Sequence, residues 1–471
     1  MRATHSALAS ALVAAAVLSP PALAAVARAQ SSEDIREYAE TIVEMTTPRW
    51  EGQVVDWPEP RPRPAGSTHV LESPRWPVAV HAGAEVPVRR ARRALSALET
   101  AHDLLDAAGW PAPWPDGGRG GTGGFDLYLA PLDDGGGAEA FSDGAVPWSF
   151  YDAVSSYAVV DPAVARGALD ACVASAYVQA ALLGQDPAEA AAWRRATGAY
   201  VAWLLTGEAG CTGGVAAQQE QPWRSWIGRA EPGRDASGGA LLLALLSARH
   251  DGGTGVFVRE LWQLARQRSA PLDGLRGSPD LWQALEADLE AGESDLDDTI
   301  TSLAVTRRFS GDRARGHVNG PLRALLEGTA VPTWLRAAWE DLPEHSPPSE
   351  PPLEPYGSAY AVVDVSEAPP GAVLRIWLRG EYGVRWSLVA VRLDAAGREL
   401  HRVTAPPRKV PRSYVPLELD GDTERVLIVA TNLSSRLPDA DIRDENVRTF
   451  RLILDRGGQP SAGSDQPSAD R

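Results

Sequence analysis

The sequence ACVASAYVQAALLGQDPAEAAAWRRATGAYVAWLL, residues 171–205, is the starting point for interpreting the chain. Small and apolar residues fill both halves, which predicts two consecutive helices separated by a break near Gly184. After the break, Asp186 can cap the second helix and Pro187 can take its first position. Glu189 then completes a start similar to a capping box. The stretch therefore predicts a helical hairpin whose second helix begins after Asp186.

The segments around the break carry a resemblance to a known family. Residues 155–162 read SSYAVVDP, residues 173–182 read VASAYVQAAL, and residues 193–199 read WRRATGA. In this order they resemble secreted bacterial zinc metalloproteases of the zincin type. That family has a strand ending in Asp-Pro, a gluzincin-like His-Glu-x-x-His helix, and a second helix that supplies a glutamate. The resemblance implies an α+β metallopeptidase domain in which a small sheet leads into the metal-binding helix.

The metal-binding positions of that family are altered in this chain. The resemblance places Ser175 and Gln179 on the two histidine ligands. Ala176 falls on the catalytic glutamate, and Arg195 falls on the third ligand, a glutamate in the family. A catalytic zinc needs three protein donors and an open position for water. Serine and glutamine are poor zinc donors, alanine supplies neither donor nor base, and arginine is positively charged. We therefore expect a degenerate site without zinc or another cofactor, and no catalytic residues.

The sequence before the hairpin has the order that the resemblance implies. Residues 91–109 have helical periodicity. A Gly-rich segment, a strand at Phe125 to Leu129 and a second strand at Tyr157 to Val160 follow. The Gly-rich run at 117–124 precedes a strand and lacks the Gly-Lys-Ser/Thr ending of a phosphate-binding loop, so we expect a surface loop.

Other catalytic motifs are absent from the sequence. Its histidines are scattered without the close spacing of a ligand pair, and there is no Gly-x-Ser-x-Gly elbow of a serine hydrolase. Cys172 and Cys211 are the only cysteines. In an exported protein they favour a disulfide, which would close a loop around the degenerate site. A Cys–His nucleophile is the alternative, but no histidine forms a recognisable motif with either cysteine.

The first 29 residues predict export. Arg2 gives a positive start, residues 8–18 are apolar, and residues 27–29, Ala-Arg-Ala, form a small-x-small cleavage site. No later apolar run approaches the roughly 20 residues that span a bilayer. The formal net charge of −17 disfavours nucleic-acid binding. We expect a secreted or periplasmic protein without a membrane span, with oligomeric state open.

The domain boundaries follow from composition. Residues 30–343 are assigned to the degenerate metallopeptidase-like domain, and residues 344–355, EHSPPSEPPLEP, to a Pro-rich linker. Residues 356–456 predict an antiparallel β-sandwich, and the tail from 457 to 471 has the composition of a disordered segment. The sandwich rests on seven short strand-like segments: Tyr360–Val365, Val373–Leu378, Trp386–Leu393, Arg398–Val403, Tyr414–Leu419, Arg425–Ala430 and Thr449–Leu454.

Two groups of aromatic residues are candidates for binding. Trp223 and Trp226 follow Cys211, where a peptidase fold would border its cleft, and could contact a peptide. Trp377, Tyr382 and Trp386 lie in the predicted sandwich, where they could form a stacking platform for sugar or simply fill its core.

The sequence therefore favours a non-catalytic pseudo-peptidase with a binding or scaffold role for an unidentified peptide or protein. One alternative is an active secreted metalloprotease, or another hydrolase, that uses residues not identified. A second is an envelope or glycan-binding protein acting through the β-sandwich. Chelator-sensitive peptidase activity would favour the first alternative, and polysaccharide binding that depends on Trp377 or Trp386 the second.

Overall fold

The computed structural model describes residues 54–132, 137–146, 149, 151–208, 211, 213–227, 236–266, 274–309, 325–326, 329–381, 384–408, 412–433 and 447–457. The predicted signal segment and, apart from Gly457, the predicted disordered tail lie outside the described residues. Among the described residues, no helix is both long enough and apolar enough to cross a bilayer.

Helices and strands are both abundant, so the chain has the α+β character that the sequence predicts. The helices are α1 (Val88–Ala107), α2 (Leu169–Leu183), α3 (Ala191–Thr206), α4 (Gly214–Glu220), α5 (Ala240–His250), α6 (Val256–Ala265), α7 (Leu281–Ala291) and α8 (Leu296–Thr306). The strands are β1 (Val54–Val55), β2 (His69–Glu72), β3 (Val78–Ala82), β4 (Phe125–Leu129), β5 (Ala138–Ala145), β6 (Val154–Val160), β7 (Leu275–Arg276), β8 (Leu335–Ala338), β9 (Glu344–His345), β10 (Ser358–Asp364), β11 (Val373–Gly380), β12 (Trp386–Leu393), β13 (Glu399–Arg408), β14 (Arg412–Glu418), β15 (Arg425–Asn432) and β16 (Phe450–Gly457).

The first large sheet has the order β2-β3-β4-β6-β5. Its central strands β3, β4 and β6 are parallel, and the outer strands β2 and β5 pair antiparallel with their neighbours. The three parallel strands are buried at every residue, as expected for strands covered on both faces. Alternate apolar side chains, including Val80 and Leu127, join α1 and α2 in one hydrophobic core.

The opposite face of this sheet is covered by the extended segment that precedes β2. Within it, Arg63 donates hydrogen bonds to Asp126 (2.5 Å) and Asp116 (2.6 Å) and also forms an ion pair with Asp143. His81 on β3 contacts the second oxygen of Asp126 at 2.8 Å. The Arg63 guanidinium therefore joins a loop to two strands of the sheet. We call Arg63 and its three aspartates the Arg63 hub.

The charges of the Arg63 hub are strongly coupled. Burial pushes the pKa of Asp126 upward, but hydrogen bonds from His81, Thr122 and Arg63 outweigh it and hold that pKa below its ordinary value. At Asp143, burial prevails over the attraction of Arg63, and its pKa is raised. Arg63 is thus the cation that all three carboxylates share, while Arg119 also acts on Asp143 and His81 on Asp126.

Two further sheets follow, with the orders β13-β12-β15-β10-β8 and β14-β11-β16-β9. Strand β8 is parallel to β10, and the other pairs are antiparallel. Inward-facing residues of both sheets, such as Ile376 and Leu388, belong to one buried cluster. Helix α8 covers the other face of the five-stranded sheet, where Val305 packs near Val429.

Most predicted elements are found, with shifted ends. All seven predicted strands of the C-terminal region are present, and β4 and β12 have the predicted bounds. Strands β3 and β5 were not predicted. Strand β3 lies next to a proline and is only five residues long, and β5 contains Gly144, which interrupts its register with β6.

The predicted start of α3 is wrong. The helix begins at Ala191 with Ala190 at its cap, and the Asp186 carboxylate instead accepts a hydrogen bond from the Ala188 amide. Glu189 is buried and accepts hydrogen bonds from the backbone N–H groups of Ala190 and Leu281. The Glu189 carboxylate thus accepts a hydrogen bond from the Leu281 N–H group, which has no partner within α7 because it lies in the first turn. Glu189 is therefore used in this long-range contact and does not form the predicted capping box.

The Pro-rich segment at 344–355, predicted as a semi-rigid linker, pairs with a strand of the C-terminal region. It starts in β9, which pairs with β16. Its backbone then continues along the same strand, where the N–H groups of Ser346 and Ser349 donate to Leu452 and Phe450. Leu353 is fully buried. Proline in an edge segment is tolerated where its nitrogen faces away from the ladder, and here the serines supply the donors.

We expect Arg63→Gln to destabilise the protein in a pH-dependent manner. Without Arg63, the pKa of Asp126 loses part of what holds it below its ordinary value, and the pKa of Asp143, which burial already raises, rises further. The free energy of unfolding should fall by about 3 kcal/mol near pH 7. The deficit should shrink toward about pH 4, because protonation removes the repulsion and the wild type loses the contribution of Asp126.

Urea unfolding across this pH range measures the effect. Arg75→Gln is the matched control, because Arg75 forms an exposed pair with Asp103 at 2.9 Å and should change stability by less than about 1 kcal/mol. A pH-independent deficit for Arg63→Gln would contradict the proposed charge coupling.

Candidate functional site

Helix α2 carries three of the four degenerate positions and is buried almost everywhere. Only Asp170 in its first turn is partly exposed. Ser175 and Gln179 lie one turn apart, and the Gln179 side-chain amide donates a hydrogen bond to the Ser175 hydroxyl at 3.2 Å. Ala176 is fully buried in the hydrophobic core. The polar groups at these two positions are therefore hydrogen-bonded to each other.

Helix α3 lies against this part of α2 at Gly198. A Cβ atom on Gly198 would lie 2.8 Å from the Ser175 carbonyl oxygen, 2.9 Å from its hydroxyl and 3.0 Å from Cγ of Gln179. Such distances are shorter than ordinary van der Waals contacts. The absence of a side chain at Gly198 is what allows the two helices to approach so closely.

Arg195 lies one turn before Gly198, and its guanidinium points to the first sheet. Its Nη2 atom donates to Oε1 of Glu139 on β5 at 2.6 Å. The side chains of Arg195 and Glu139 are 12% and 17% exposed, so the pair is mostly shielded from water. At this exposure a charge pair is stronger than on the surface, and losing one partner leaves a poorly solvated charge. Arg195 and Glu139 therefore connect α3 to the outer strand of the sheet.

These residues do not fit a catalytic zinc. Two of the positions are neutral and hydrogen-bonded to each other, one is apolar, and the last holds a cation already paired with a carboxylate. Among the described residues, no group of three or more His, Cys, Asp or Glu side chains could hold a metal ion.

A disulfide joins Cys172 and Cys211, as the sequence predicts, with Cα atoms 4.9 Å apart. Cys172 lies in the first turn of α2 and is fully buried. Cys211 lies beside the start of β5. A Cβ atom added to Gly137 would lie 2.7 Å from the Cβ atom of Cys211. The bridge thus ties the chain after α3 to both α2 and β5, and it is compatible with an extracellular location.

The two tryptophans predicted to border a cleft have different surroundings. Trp226 is fully buried, and the Arg307 guanidinium carbon lies 4.3 Å from the centre of one of its rings. Arg307 is itself buried and is bonded to Gln219 and to the backbone oxygen of Gln218. The hypothesis that Trp226 is a peptide-contacting residue is therefore wrong. Trp223 is half-buried and packs against the core shared by the two C-terminal sheets.

The predicted sugar platform is also rearranged. Trp386 is fully buried and packs on Phe450, so it belongs to the core. Tyr382 lies outside the described residues. Trp377 is half-buried on the outer face of the four-stranded sheet, where it stacks on Tyr414 with ring centres 5.1 Å apart. Tyr414 was not recognised from the sequence, although its alternation with buried Ser413 and Val415 places it on the same face.

Glu139 was also missed. Its segment, AEAFSDGA at 138–145, has small residues and a glycine in place of the β-branched residues that mark a strand. Without β5 there was no reason to place a carboxylate opposite Arg195.

Comparisons with known proteins give no family. No protein-family model matches the sequence, and no curated protein matches it. Among solved structures, the chain has a weak likeness to the enzymatically active domain of tailspike protein 4 from bacteriophage CBA120, with 11% sequence identity and a TM-score of 0.16. The likeness covers 21% of this chain and 14% of that one, and it carries no argument about fold or function.

We expect Gly198→Ala to destabilise the protein by about 1–2 kcal/mol, because the new methyl group forces α3 away from α2. Alanine has the higher helix propensity by about 1 kcal/mol, so a loss cannot come from local preference. Gly292→Ala is the control, since its Cβ would meet its neighbours at ordinary distances of 3.5 and 3.6 Å. Thermal unfolding of both variants tests the contact, and equal stability would contradict it.

We expect Cys172→Ala/Cys211→Ala to lower the free energy of unfolding by about 4 kcal/mol, since the bridge closes a loop with a sequence separation of 39 residues. Denaturant unfolding of oxidised wild type, reduced wild type and the double variant measures the effect. The reduced wild type should match the variant. A loss below about 1 kcal/mol would mean that the bridge adds little to folding.

Proposed function

We propose that this chain is an exported pseudo-peptidase. Its first part is a zincin-like domain that has lost its zinc, and its second part is a β-sandwich formed by the two C-terminal sheets. Its role is to bind a peptide or protein segment without cleaving it. The export follows from the predicted signal segment, and the binding role follows from the arrangement around α2 and β5.

The order of elements supports the zincin-like assignment. A mixed sheet with an antiparallel outer strand leads through β6 into the buried helix α2, and α3 returns along it. The residues at the family's ligand positions lie on these two helices, where α3 packs against α2. This order is the one that the sequence resemblance implies.

The ion pair of Arg195 with Glu139 is the observation that carries the non-catalytic proposal. A metallopeptidase needs an acceptor at this position to hold a dication, whereas the chain has a guanidinium with its own carboxylate partner at 2.6 Å. Together with the Ser175–Gln179 hydrogen bond, it replaces metal coordination by contacts that are complete without a metal.

The outer strand β5 gives the proposed binding mode. It pairs with β6 on one side only, and no described strand pairs with its other edge. An extended peptide can bind such an edge by main-chain hydrogen bonds, with alternate side chains giving specificity. The disulfide and the Arg195–Glu139 pair fix β5 at its start, so this edge is held in position before a ligand arrives.

Metal analysis tests the proposal. Purified wild-type protein should contain no stoichiometric zinc and should take none up on reconstitution. The variant Ser175→His/Ala176→Glu/Gln179→His/Arg195→Glu restores the family's ligands and base, so it should bind one zinc. Zinc at about 100 times its dissociation constant should stabilise this variant by about 2.7 kcal/mol, which thermal unfolding detects.

The triple variant that keeps Arg195 is the matched control, and its zinc affinity should be much weaker because a cation remains at the third ligand. A stoichiometric zinc in the wild type, or chelator-sensitive peptidase activity, would overturn the proposal in favour of an active metallopeptidase. Failure of the quadruple variant to bind zinc more tightly than the triple variant would refute the alignment.

A further inference from the structure

The outer face of the four-stranded sheet is accessible along two neighbouring strands. Helix α8 covers the outer face of the five-stranded sheet, whereas β11 and β14 alternate between buried and accessible residues. Their accessible side chains therefore lie on a face that no described helix covers. This face carries two distinct rows of residues across neighbouring strands.

The first row consists of three arginines and is called the arginine row. Arg379 on β11 is directly opposite Arg412 on β14 and Arg451 on β16. All three are exposed, and within the described part of the chain none of them has a hydrogen bond or ion pair. Like charges directly opposite each other destabilise a sheet. Three such residues in register on adjacent strands are unfavourable for folding and are explained by an anionic ligand.

The second row lies two residues further along the strands and is called the aromatic row. Trp377 is opposite Tyr414 on one side and Ile453 on the other, and His345 is opposite Ile453. The rings of Trp377 and Tyr414 are stacked at an angle of 29°, and Tyr414 is 44% exposed. The two rings cover each other in part, and their outer faces and edges form an apolar surface beside the arginine row.

The acidic residues of this face lie away from the arginine row. Asp455 and Glu418 are four and six residues along the strands from it, roughly 13–20 Å at the usual rise per residue. Arg375, opposite Asp455, adds a further cation on the other side of the aromatic row. Glu381 is nearer to the arginine row, but it accepts hydrogen bonds from Thr449 and lies 3.7 Å from Arg448. Among the described residues, positive charge therefore predominates over the first two rows.

We propose that this face binds an acidic polysaccharide whose sugar rings carry carboxylates. The sugar faces stack on Trp377 and Tyr414, and the carboxylates pair with the arginine row. Adjacent strands are about 4.8 Å apart, so the three guanidiniums present evenly spaced donors along a line across the sheet. A polymer with one carboxylate on each sugar offers acceptors at regular intervals along a similar line. Arginine suits such carboxylates because its planar donors can bind both oxygens.

Single-stranded nucleic acid can also stack on aromatic residues and pair with arginine, and it is the alternative occupant that the test distinguishes. The net charge of −17 repels both polyanions through the overall field of the chain, so binding of either would depend on the local arginine row. This proposal concerns a surface separate from α2 and β5 and does not depend on the pseudo-peptidase assignment.

Titration of the full chain with alginate oligosaccharides tests the proposal, with dextran as the neutral probe and an oligothymidylate as the nucleic-acid probe. We expect alginate to bind and to weaken as salt is raised. Arg379→Gln should weaken binding about threefold. Trp377→Ala should weaken it about tenfold, and Tyr414→Ala, at a more exposed position, should act in the same direction. Arg336→Gln, an exposed strand arginine in the five-stranded sheet, should leave binding unchanged.

Thermal unfolding shows whether each variant is folded. If Trp377→Ala does not fold, Tyr414→Ala and Arg451→Gln provide the test. The proposal is overturned if alginate does not bind, or if dextran binds equally well. It is also overturned if Arg379→Gln and Arg336→Gln behave alike, or if the oligothymidylate binds more tightly than alginate.

Discussion

The near-complete burial of α2 constrains the whole N-terminal half of the described chain. Fourteen of its 15 residues are buried, and it contacts β5, β6, α1 and α3. A helix enclosed on all sides can hold charged or metal-binding side chains only where a partner compensates their desolvation. Ser175 and Gln179 meet this requirement by bonding to each other, and Ala176 has no polar atom. The charges of Arg195 and Glu139 lie at the edge of this enclosure, where each retains some contact with water.

The helical half and the C-terminal sheets are joined by largely buried polar contacts, and the Pro-rich segment between them, predicted as a semi-rigid linker, pairs with β16. The Tyr360 hydroxyl donates to the backbone oxygen of Ala304 at 2.6 Å, and Arg385 pairs with Asp297 on α8 at 2.7 Å. Within the helical half, Arg307 bonds to α4 and packs on Trp226. Burial lowers the pKa of Arg307, as expected for a guanidinium that is removed from water and has no carboxylate partner among the described residues. Proline-rich composition describes how a segment behaves alone, whereas the hydrogen bonds along β16 depend on a strand about 100 residues away in the chain.

Helices and strands that have a clear periodicity in their own sequence were predicted well. Alternation identified all seven C-terminal strands, and periodicity located α1 and α2 to within a few residues. Contacts between distant segments could not be predicted in this way. The start of α3 is shifted because Glu189 bonds to the distant Leu281. Glu139, the partner of Arg195, lies on a strand with a weak sequence pattern. Trp386 is buried and Trp377 is half-buried because only one face of each C-terminal sheet lies in the shared core. Spacing alone gives the face of a residue but not what lies against it.

Arginines lie at both of the places where we propose ligands. Beside β5, the Arg195 guanidinium is paired with the Glu139 carboxylate at 2.6 Å. On the four-stranded sheet, Arg379, Arg412 and Arg451 are exposed and have no partner in the described part of the chain, and an anionic ligand would relieve their mutual repulsion. Arg195 has a carboxylate partner, Glu139, and this pair holds α3 against β5. The three arginines have no such partner among the described residues. Because of this difference in pairing, we expect the site around α2 and β5 to be stable without a ligand. We expect ligand binding by the three arginines to weaken strongly as salt is raised.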